Sequence, residues 1–442
     1  MNKTFYIETY GCQMNVADSD VVAAILEKEG YTRVTGEDEA DVILVNTCSV
    51  RENAELRARG RVQGLSRVKK RRPGALVAVI GCMAERLGET LFEQEKNVNI
   101  VVGPDAYLEL PDLIRRAERG EKAINVELST TETYPGICPS RGDATAISTF
   151  VPITRGCNNF CTYCIVPYTR GRERGRQPES VIREARAARD GGCREITLLG
   201  QNVNSYRWQD NATVVTFPEL LREVARAVPD TRVRFATSHP RDMSDEILHA
   251  IAEHPNICRH VHLPAQSGSN AVLARMNRQY TREQYLERVR AIREILPGCG
   301  LTTDLFVGFS GESEADHRAT LELVEQARFD AAFTFKYSER PGTVASRQLP
   351  DDVDEPTKQR RLQELIALQR RLSLASNRAD VGRTMEVLVE GPSRRNTAEM
   401  SGRNEQNKVI VFPARGRRAG DTTRVRVTGC TPATLLGEII DE

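Results

Sequence analysis

Residues 150 to 164 read Phe150-Val151-Pro152-Ile153-Thr154-Arg155-Gly156-Cys157-Asn158-Asn159-Phe160-Cys161-Thr162-Tyr163-Cys164, a strand-length apolar run leading directly into three cysteines spaced C-x3-C-x2-C. Five further runs of strand length follow, at Glu195 to Leu199, Val233 to Thr237, His260 to Leu263, Leu301 to Phe306 and Ala332 to Tyr337. Helix-like segments such as Glu179 to Asp190 and Arg282 to Leu296 separate them. Strands alternating with helices call for a parallel sheet, because each crossover must return the chain to the same edge. Six such units, beginning at Phe150 to Thr154, predict a barrel-like or partly open parallel sheet over 143–376, closed by one long polar helix from Glu355 to Asn377.

The flanks differ in composition. Before the barrel, the runs Thr4 to Thr9, Asp41 to Val45, Ala75 to Ile80 and Val98 to Val102 alternate with charged amphipathic stretches, which predicts an N-terminal parallel-sheet α/β domain over 1–123. Its first helix has Asp18 as the expected N-cap and Gly30 as the expected stop. Residues 124–142 carry Ser, Thr, Pro and Gly without periodicity and read as a linker. After the long helix, Met385 to Val389, Val409 to Phe412 and Thr423 to Val427 are short β-branched runs divided by Gly, Pro and Asn, so 377–442 is expected to be a small all-β barrel. The fold class is therefore α/β, and three domains suit 442 residues at about 150 per domain.

Hydrophobic residues make up 40% of the chain and charged residues 28%, a balance that excludes disorder. The apolar runs fall far short of the ~20 residues needed to span a bilayer, and no apolar leader follows Met1. A cytoplasmic protein without membrane contact is expected. Net charge is +1, so any nucleic-acid surface must be regional. Eleven cysteines in a reducing compartment point to metal rather than to disulfides.

No histidine lies near Cys157, Cys161 and Cys164, and structural zinc sites reach four ligands through paired C-x2-C or Cys/His sets. Three thiolates suit a 4Fe-4S cluster with one iron left open. Cys12, Cys48 and Cys82 each stand just past the C-terminal end of an expected strand, and in a parallel sheet those ends share one edge. A second three-thiolate 4Fe-4S cluster is expected there, its open iron able to hold exogenous sulfur. Cys138, Cys193, Cys258, Cys299 and Cys430 share no spacing and are assigned no role.

The C-x3-C-x2-C loop on the first strand of a six-unit βα domain resembles the radical S-adenosylmethionine (SAM) superfamily. Tyr10-Gly11-Cys12-Gln13-Met14-Asn15, Asn46-Thr47-Cys48-Ser49-Val50-Arg51-Glu52, Gly81-Cys82-Met83-Ala84-Glu85 and Leu199-Gly200-Gln201-Asn202-Val203-Asn204-Ser205-Tyr206 are similar to the methylthiotransferase family. The resemblance covers nearly the whole chain. It implies an N-terminal methylthiotransferase domain, a radical SAM core and a C-terminal TRAM domain that binds RNA. It implies a SAM bound to the open iron and cleaved by one electron to a 5′-deoxyadenosyl radical. The implied activity is sulfur insertion at C2 of N(6)-dimethylallyladenosine beside the tRNA anticodon, with methylation of that sulfur from a second SAM. The partners that follow are tRNA, a reduced electron donor such as a flavodoxin, and a sulfur donor. Two departures stand out: Gly175 and Gln177 replace the expected Ser and Pro, and Gly192-Cys193 is an unusual pair.

SAM is expected over the C-terminal mouth of the barrel, where strand-end side chains converge. Gln201 and Asn202 after the second strand, Ser238 and His239 after the third, His262 and Gln266 after the fourth, and Lys336 after the sixth are the candidates, with Asp304 an alternative polar core residue. Three regions could meet RNA: the eight Lys/Arg of 57–72, the alternating Arg170, Arg172, Arg174 and Arg176, and 381–430, where ten Lys/Arg face five Asp/Glu beside Asn404, Asn407 and Phe412. Two other readings stay open from the residues alone. One is a methylthiotransferase acting on threonylcarbamoyl-adenosine in tRNA or on an aspartate of a ribosomal protein; the other is a non-catalytic iron–sulfur RNA-binding protein.

Overall fold

A computed structural model describes residues 3–49, 52–137, 139, 146–210 and 212–440. Cys138 and part of the expected linker lie outside the described residues. The first region is a six-stranded, wholly parallel sheet in the order Thr32–Arg33, Thr4–Tyr10, Val42–Thr47, Leu76–Gly81, Ile100–Val102, Ala123–Asn125. Val42–Thr47 and Leu76–Gly81 are buried along their whole length. The apolar runs Val42–Val45 and Leu76–Ile80 within them are what strands covered on both faces require.

The first helix runs Gln13–Lys28, six residues earlier than the expected start, so Asp18 is not its N-cap. Cys12 takes that place, and Asp18 is fully buried within the helix because two arginines from the next region neutralise it. Gly30 does follow the helix end, with φ +86 in the left-handed region glycine adopts at low cost. The stretch read as a linker is anchored: Tyr134 is buried, and its ring stacks on Tyr107 at 5.7 Å.

The central region contains the six expected parallel strands as two triplets. Ser148–Pro152, Glu195–Leu199 and Arg232–Ala236 form one sheet, and His260–His262, Gly300–Val307 and Ala331–Lys336 the other. A single bridge, Val233 to Ile257, reaches across the junction. Strand alternation sorts the faces. Val233, Phe235, Leu301, Leu305 and Val307 pack outward under the helices, while Phe150, Leu199 and Ala236 turn inward and meet Met14 and Ala17 of the first helix. The first expected strand ends at Pro152; Thr154–Arg155 then pairs antiparallel with Arg174–Gly175. A Cβ on Gly175 would lie 2.4 Å from the Arg207 carbonyl, which accounts for glycine there. Gly192 has φ +95 after a helix end, and Cys193 behind it is buried.

The helix Glu355–Arg378 buries polar side chains that each find a partner. Arg361 bonds Glu312 at 2.9 Å, Gln369 donates to the Phe329 carbonyl at 2.9 Å, and Asn377 donates to the Thr431 carbonyl at 2.9 Å. It thereby fastens the central sheet to a closed five-stranded barrel ordered Thr384–Pro392, Glu399–Arg403, Val409–Pro413, Leu435–Ile439, Thr422–Cys430. Arg232 and Arg234 strengthen that junction by donating to the carbonyls of Arg403 at 2.8 Å and Asn404 at 2.7 Å. Among the described residues no helix is long and apolar enough to cross a membrane.

Candidate functional site

Thr4–Tyr10, Val42–Thr47 and Leu76–Gly81 are neighbours in register, Tyr10 opposite Thr47 and Thr47 opposite Gly81, so Cys12, Cys48 and Cys82 leave the sheet at one edge. Cys12 is exposed at the rim, and Cys48 and Cys82 are buried behind it. Two asparagines hold the Cys12 and Cys48 loops together, and the Thr47 hydroxyl ties the second strand to the third by donating to the Ile80 carbonyl at 3.1 Å. Asn15 Oδ1 accepts from the Cys12 N–H at 3.2 Å, while its Nδ2 donates to Asn46 Oδ1 at 3.0 Å and to the Thr47 carbonyl at 3.1 Å. Asn46 returns a bond to the Asn15 carbonyl at 2.8 Å. Gly11 is required because a Cβ would stand 2.3 Å from Asn15 Oδ1. A hydrogen bond with Cys48 draws the Cys12 thiol down, helped by the Arg170 charge. Burial pushes Cys82 up.

Cys157, Cys161 and Cys164 lie between Thr154–Arg155 and the short helix Val166–Arg170. Gly156, with φ +77, brings the chain so near Arg172 that a Cβ would lie 2.1 Å from its carbonyl oxygen. The far side of the loop is pinned by the Thr162 hydroxyl on the Arg275 carbonyl at 2.8 Å and by Asn277 Nδ2 on the Phe160 carbonyl at 3.0 Å. Arg278 Nη1 donates to Cys161 Sγ at 3.3 Å. Burial pushes the Cys157 thiol up to about 11 and Cys164 to about 12.

Between the trios runs a buried ionic network that sequence reading missed. Asp18 accepts from Arg155 Nη1 at 3.0 Å and from Arg170 Nη2 at 2.6 Å, and Arg170 Nε donates to Cys82 Sγ at 3.2 Å. Arg155 also donates to the Pro104 carbonyl at 2.8 Å, and Arg174 Nη2 bonds Asp105 at 2.8 Å. Burial alone would raise the Asp18 carboxyl; the two guanidinium groups overcome it and hold it below the usual carboxylate range. Three of the four alternating arginines are therefore spent on internal partners and not on RNA: Arg170 on Asp18, Arg174 on Asp105 and Arg176 on Glu184. Arg172 stacks over the Phe160 ring at 4.3 Å.

At the barrel mouth, Gln201 Oε1, Asn202 Oδ1, Ser238 Oγ, His239 Nε2 and Gln266 Oε1 are buried without a hydrogen-bond partner. Buried polar atoms are ordinarily satisfied, so such a group at strand ends fits a polar ligand. Burial, with Arg278 and Arg241 nearby, pushes His239 down to about 2, leaving it neutral. His262 lies deeper in the lumen, where its ring bonds Thr302 Oγ1 at 2.9 Å and approaches Asp304 at 3.5 Å and the exposed Phe333 ring at 6.1 Å. Lys336 does not join them. It shares the outward face of its strand with Ala332, which packs on the outer core, and it pairs with Glu355.

Among the described residues no three His, Cys, Asp or Glu side chains converge closely enough to be ligands of one metal ion. Thiolates at the corners of a four-iron cube stand farther apart than those around a single ion, and donor chemistry is the applicable test. Each trio supplies three thiols outside any disulfide and one guanidinium N–H on a sulfur, a set that fits a thiolate-held cluster.

The expected RNA surfaces contract. In 57–72, Arg61 pairs with Glu8, Arg71 with Asp38 and Arg72 with Asp41, and Lys69 bonds Asn99 at 2.6 Å, so the run largely braces the first sheet. In the C-terminal barrel Phe412 is core and Asn404 is buried, its Oδ1 accepting from the Lys408 N–H at 2.9 Å. Arg394, Arg395, Arg418 and Arg426 remain exposed there.

Three family models match separate stretches of the chain. Residues 4–103 match the uncharacterized protein family UPF0004, 151–324 the radical SAM superfamily and 378–440 the TRAM domain. The tRNA-2-methylthio-N(6)-dimethylallyladenosine synthase of Phocaeicola vulgatus is 58% identical over 99% of this chain and 96% of its own length. The protein of that name from Porphyromonas gingivalis is 53% identical over 99% and 95%. Among solved structures, the radical SAM methyltransferase TsrM of Kitasatospora setae has a TM-score of 0.59 at 15% identity, covering 78% of this chain and 77% of that one, a likeness of fold. The cobalamin-dependent SAM radical enzyme OxsB has a TM-score of 0.54 at 13% identity, covering 84% and 56%. Matched almost from end to end by relatives of more than half identity, the chain belongs to the tRNA-2-methylthio-N(6)-dimethylallyladenosine synthase family of radical SAM methylthiotransferases.

Proposed function

We propose that this protein inserts sulfur at C2 of N(6)-dimethylallyladenosine next to the anticodon of tRNA and adds a methyl group to that sulfur. The supporting observation is a buried link between the two cysteine-bearing regions: Arg170, at the end of the short helix that follows the Cys157, Cys161 and Cys164 loop, donates to Cys82 of the other trio. In this reading Cys157, Cys161 and Cys164 hold the cluster that binds SAM, and Cys12, Cys48 and Cys82 hold the auxiliary cluster. When bound, these groups supply a primary carbon radical strong enough to attack an aromatic C–H and a sulfur to replace the hydrogen, chemistry no side chain can provide.

The chain's own part is binding and orientation. Gln201, Asn202, Ser238, His239 and Gln266 offer unpartnered polar atoms to SAM at the mouth. Met14 and Ala17 roof the inward face formed by Phe150, Leu199 and Ala236, keeping water from that side of the lumen. Phe333, with His262 beside it, offers a ring on which a base withdrawn from the anticodon loop can stack. The exposed arginines of the C-terminal barrel take phosphates. We place the N-terminal methylthiotransferase domain at 1–123, a linker at 124–142, the radical SAM core at 143–376 and the TRAM domain at 377–442. A reduced flavodoxin-like donor, a separate sulfur donor and a cytoplasmic setting complete the proposal.

The test is mass spectrometry of tRNA nucleosides from cells lacking the gene, complemented by cysteine variants. Loss of the 2-methylthio-dimethylallyl nucleoside with its unmodified precursor accumulating is expected; an unchanged level refutes the assignment. Alanine at Cys157, Cys161 or Cys164 should abolish 5′-deoxyadenosine formation. Alanine at Cys12, Cys48 or Cys82 should leave it detectable while ending thiolation, with iron falling by about half in either set.

A further inference from the structure

The loop that carries Cys157, Cys161 and Cys164 is covered on several sides. Arg278 bonds Cys161, the segment at Arg275 and Asn277 pins one flank, and Arg155 and Arg170 turn into the N-terminal region. From residue 155 to residue 172 only Asn158, Tyr168 and Arg172 are exposed. Two rings form this opening. Phe160, half-buried and next to Cys161 in the chain, meets Tyr168 edge to face with centroids 6.3 Å apart, and Tyr168 is 38% exposed. Arg172 lies over the Phe160 ring at 4.3 Å, and the exposed Arg347 lies over the Tyr168 ring at 5.9 Å while its Nε donates to the Thr343 carbonyl at 3.3 Å. Unlike Arg170, Arg174 and Arg176, neither has a carboxylate partner among the described residues. Positive charge therefore stays on the surface here.

We propose that Phe160, Tyr168, Arg172 and Arg347 form the docking surface for a one-electron carrier protein that has carboxylates around its exposed redox group. The inference rests on reading Cys157, Cys161 and Cys164 as the ligands of a reducible cluster. Electron transfer slows steeply with distance, so the donor has to dock where the loop itself reaches the surface, and this patch belongs to the loop and to the helix directly after it. Arginine and aromatic side chains are the types enriched at protein interfaces, and complementary charge speeds encounter without demanding a tight complex. The rings also separate this patch from a nucleotide platform. Each carries a guanidinium over it and meets the other ring's edge, which leaves charge rather than an open ring for a partner, in contrast to the 60% exposed Phe333. In the transfer one electron leaves the carrier and enters the cluster. The carrier is oxidised by one electron, the cluster is reduced by one, and no bond is made or broken.

The test uses the full chain loaded with iron and sulfide, with flavodoxin as the probe. Binding of oxidised flavodoxin is measured by titration calorimetry, and flavodoxin hydroquinone is mixed with the protein in a stopped-flow instrument while its semiquinone is followed. Dithionite replaces flavodoxin in a parallel arm, because a small reductant needs no docking. Arg172→Glu combined with Arg347→Glu should weaken flavodoxin binding by about tenfold at low salt, slow the transfer by a similar factor, and differ little from the parent at high salt. Iron content, 5′-deoxyadenosine formed with dithionite and affinity for tRNA should stay within about twofold of the parent, as for surface substitutions away from a contact. Equal flavodoxin binding in parent and variant, or none in the parent, overturns the proposal. Weakened tRNA binding with flavodoxin binding unchanged also overturns it and assigns the patch to RNA. If the glutamate pair loses iron, Arg172→Gln combined with Arg347→Gln decides, with about threefold weaker flavodoxin binding expected. Loss of iron from that pair as well overturns the proposal, because the arginines then support the loop. A parent protein that cleaves no SAM even with dithionite sinks the functional reading and this inference with it, an outcome distinct from failure of the docking surface alone.

Discussion

Asp18 gathers two guanidinium groups that stand 137 and 152 residues further along the chain. Nothing local announces this. An aspartate near the start of an amphipathic run is the common signature of a helix N-cap, and the partners that override it come from another region. The cysteines were legible for the opposite reason, because thiols at fixed spacing and at strand ends carry their chemistry in the sequence. Asn15 and Asn46 lay inside the quoted motifs, but nothing in the sequence announced their mutual bonds, which join a helix to a strand 31 residues away. Removing one partner of a buried ion network leaves uncompensated charge. Asp18→Asn should therefore cost about 3–5 kcal/mol at neutral pH, measured by thermal or denaturant unfolding. The pH dependence follows from the depressed carboxyl. The folded value lies below the unfolded value of about 3.9, so the contribution is fully present above about pH 3.9 and fades as pH falls through the lower folded value. The Asn variant should lose that part of the acid limb. An equally steep limb in both proteins would show that Asp18 is not the group responsible.

At the scale of elements, strands that are apolar throughout were readable to within a residue or two: Glu195–Leu199 is placed as expected, and Leu76–Gly81 is shifted by one. Glu399–Arg403 was missed because Met400 is its one large apolar residue and its order comes from cross-strand partners at Phe412 and Pro392. The pair Arg207–Gln209 and Val214–Thr216 was missed because each strand is three residues long. The strand Ala331–Lys336 carries a functional consequence. It borders the second triplet and presents Phe333, 60% exposed, beside His262. An aromatic ring left uncovered at that edge suits a stacked base, worth about 1–3 kcal/mol. Phe333→Ala should raise the KM for tRNA by about tenfold while SAM cleavage in the absence of tRNA stays within twofold. A matched loss of SAM cleavage would place Phe333 in the support of the barrel instead.

Across the whole molecule, charge is sorted by depth. Arginines near the middle of the chain are folded inward onto carboxylates, and those of the C-terminal barrel stay on its surface. Composition could not reveal this, since a net charge of +1 averages over both populations. Replacing Arg394, Arg395, Arg418 and Arg426 by Gln should weaken tRNA binding without touching cluster content. Each phosphate contact removed should lower the slope of log affinity against log salt by about 0.7 to 0.9, read from filter binding at several salt concentrations. An unchanged slope would move the RNA surface elsewhere.

The Asp18 junction also sets an order of events during synthesis. The ribosome delivers the N-terminal region first, complete with Cys12, Cys48 and Cys82, while Arg155 and Arg170 are still untranslated. Until they emerge, the carboxylate destined for burial has no counter-ion, and the Met14 and Ala17 face of its helix is uncovered. On the reading proposed above, the half that would handle sulfur is thus unfinished until the half that would generate the radical exists. A chain of that design completes no pocket for reactive sulfur before it has made the barrel in which that sulfur is used.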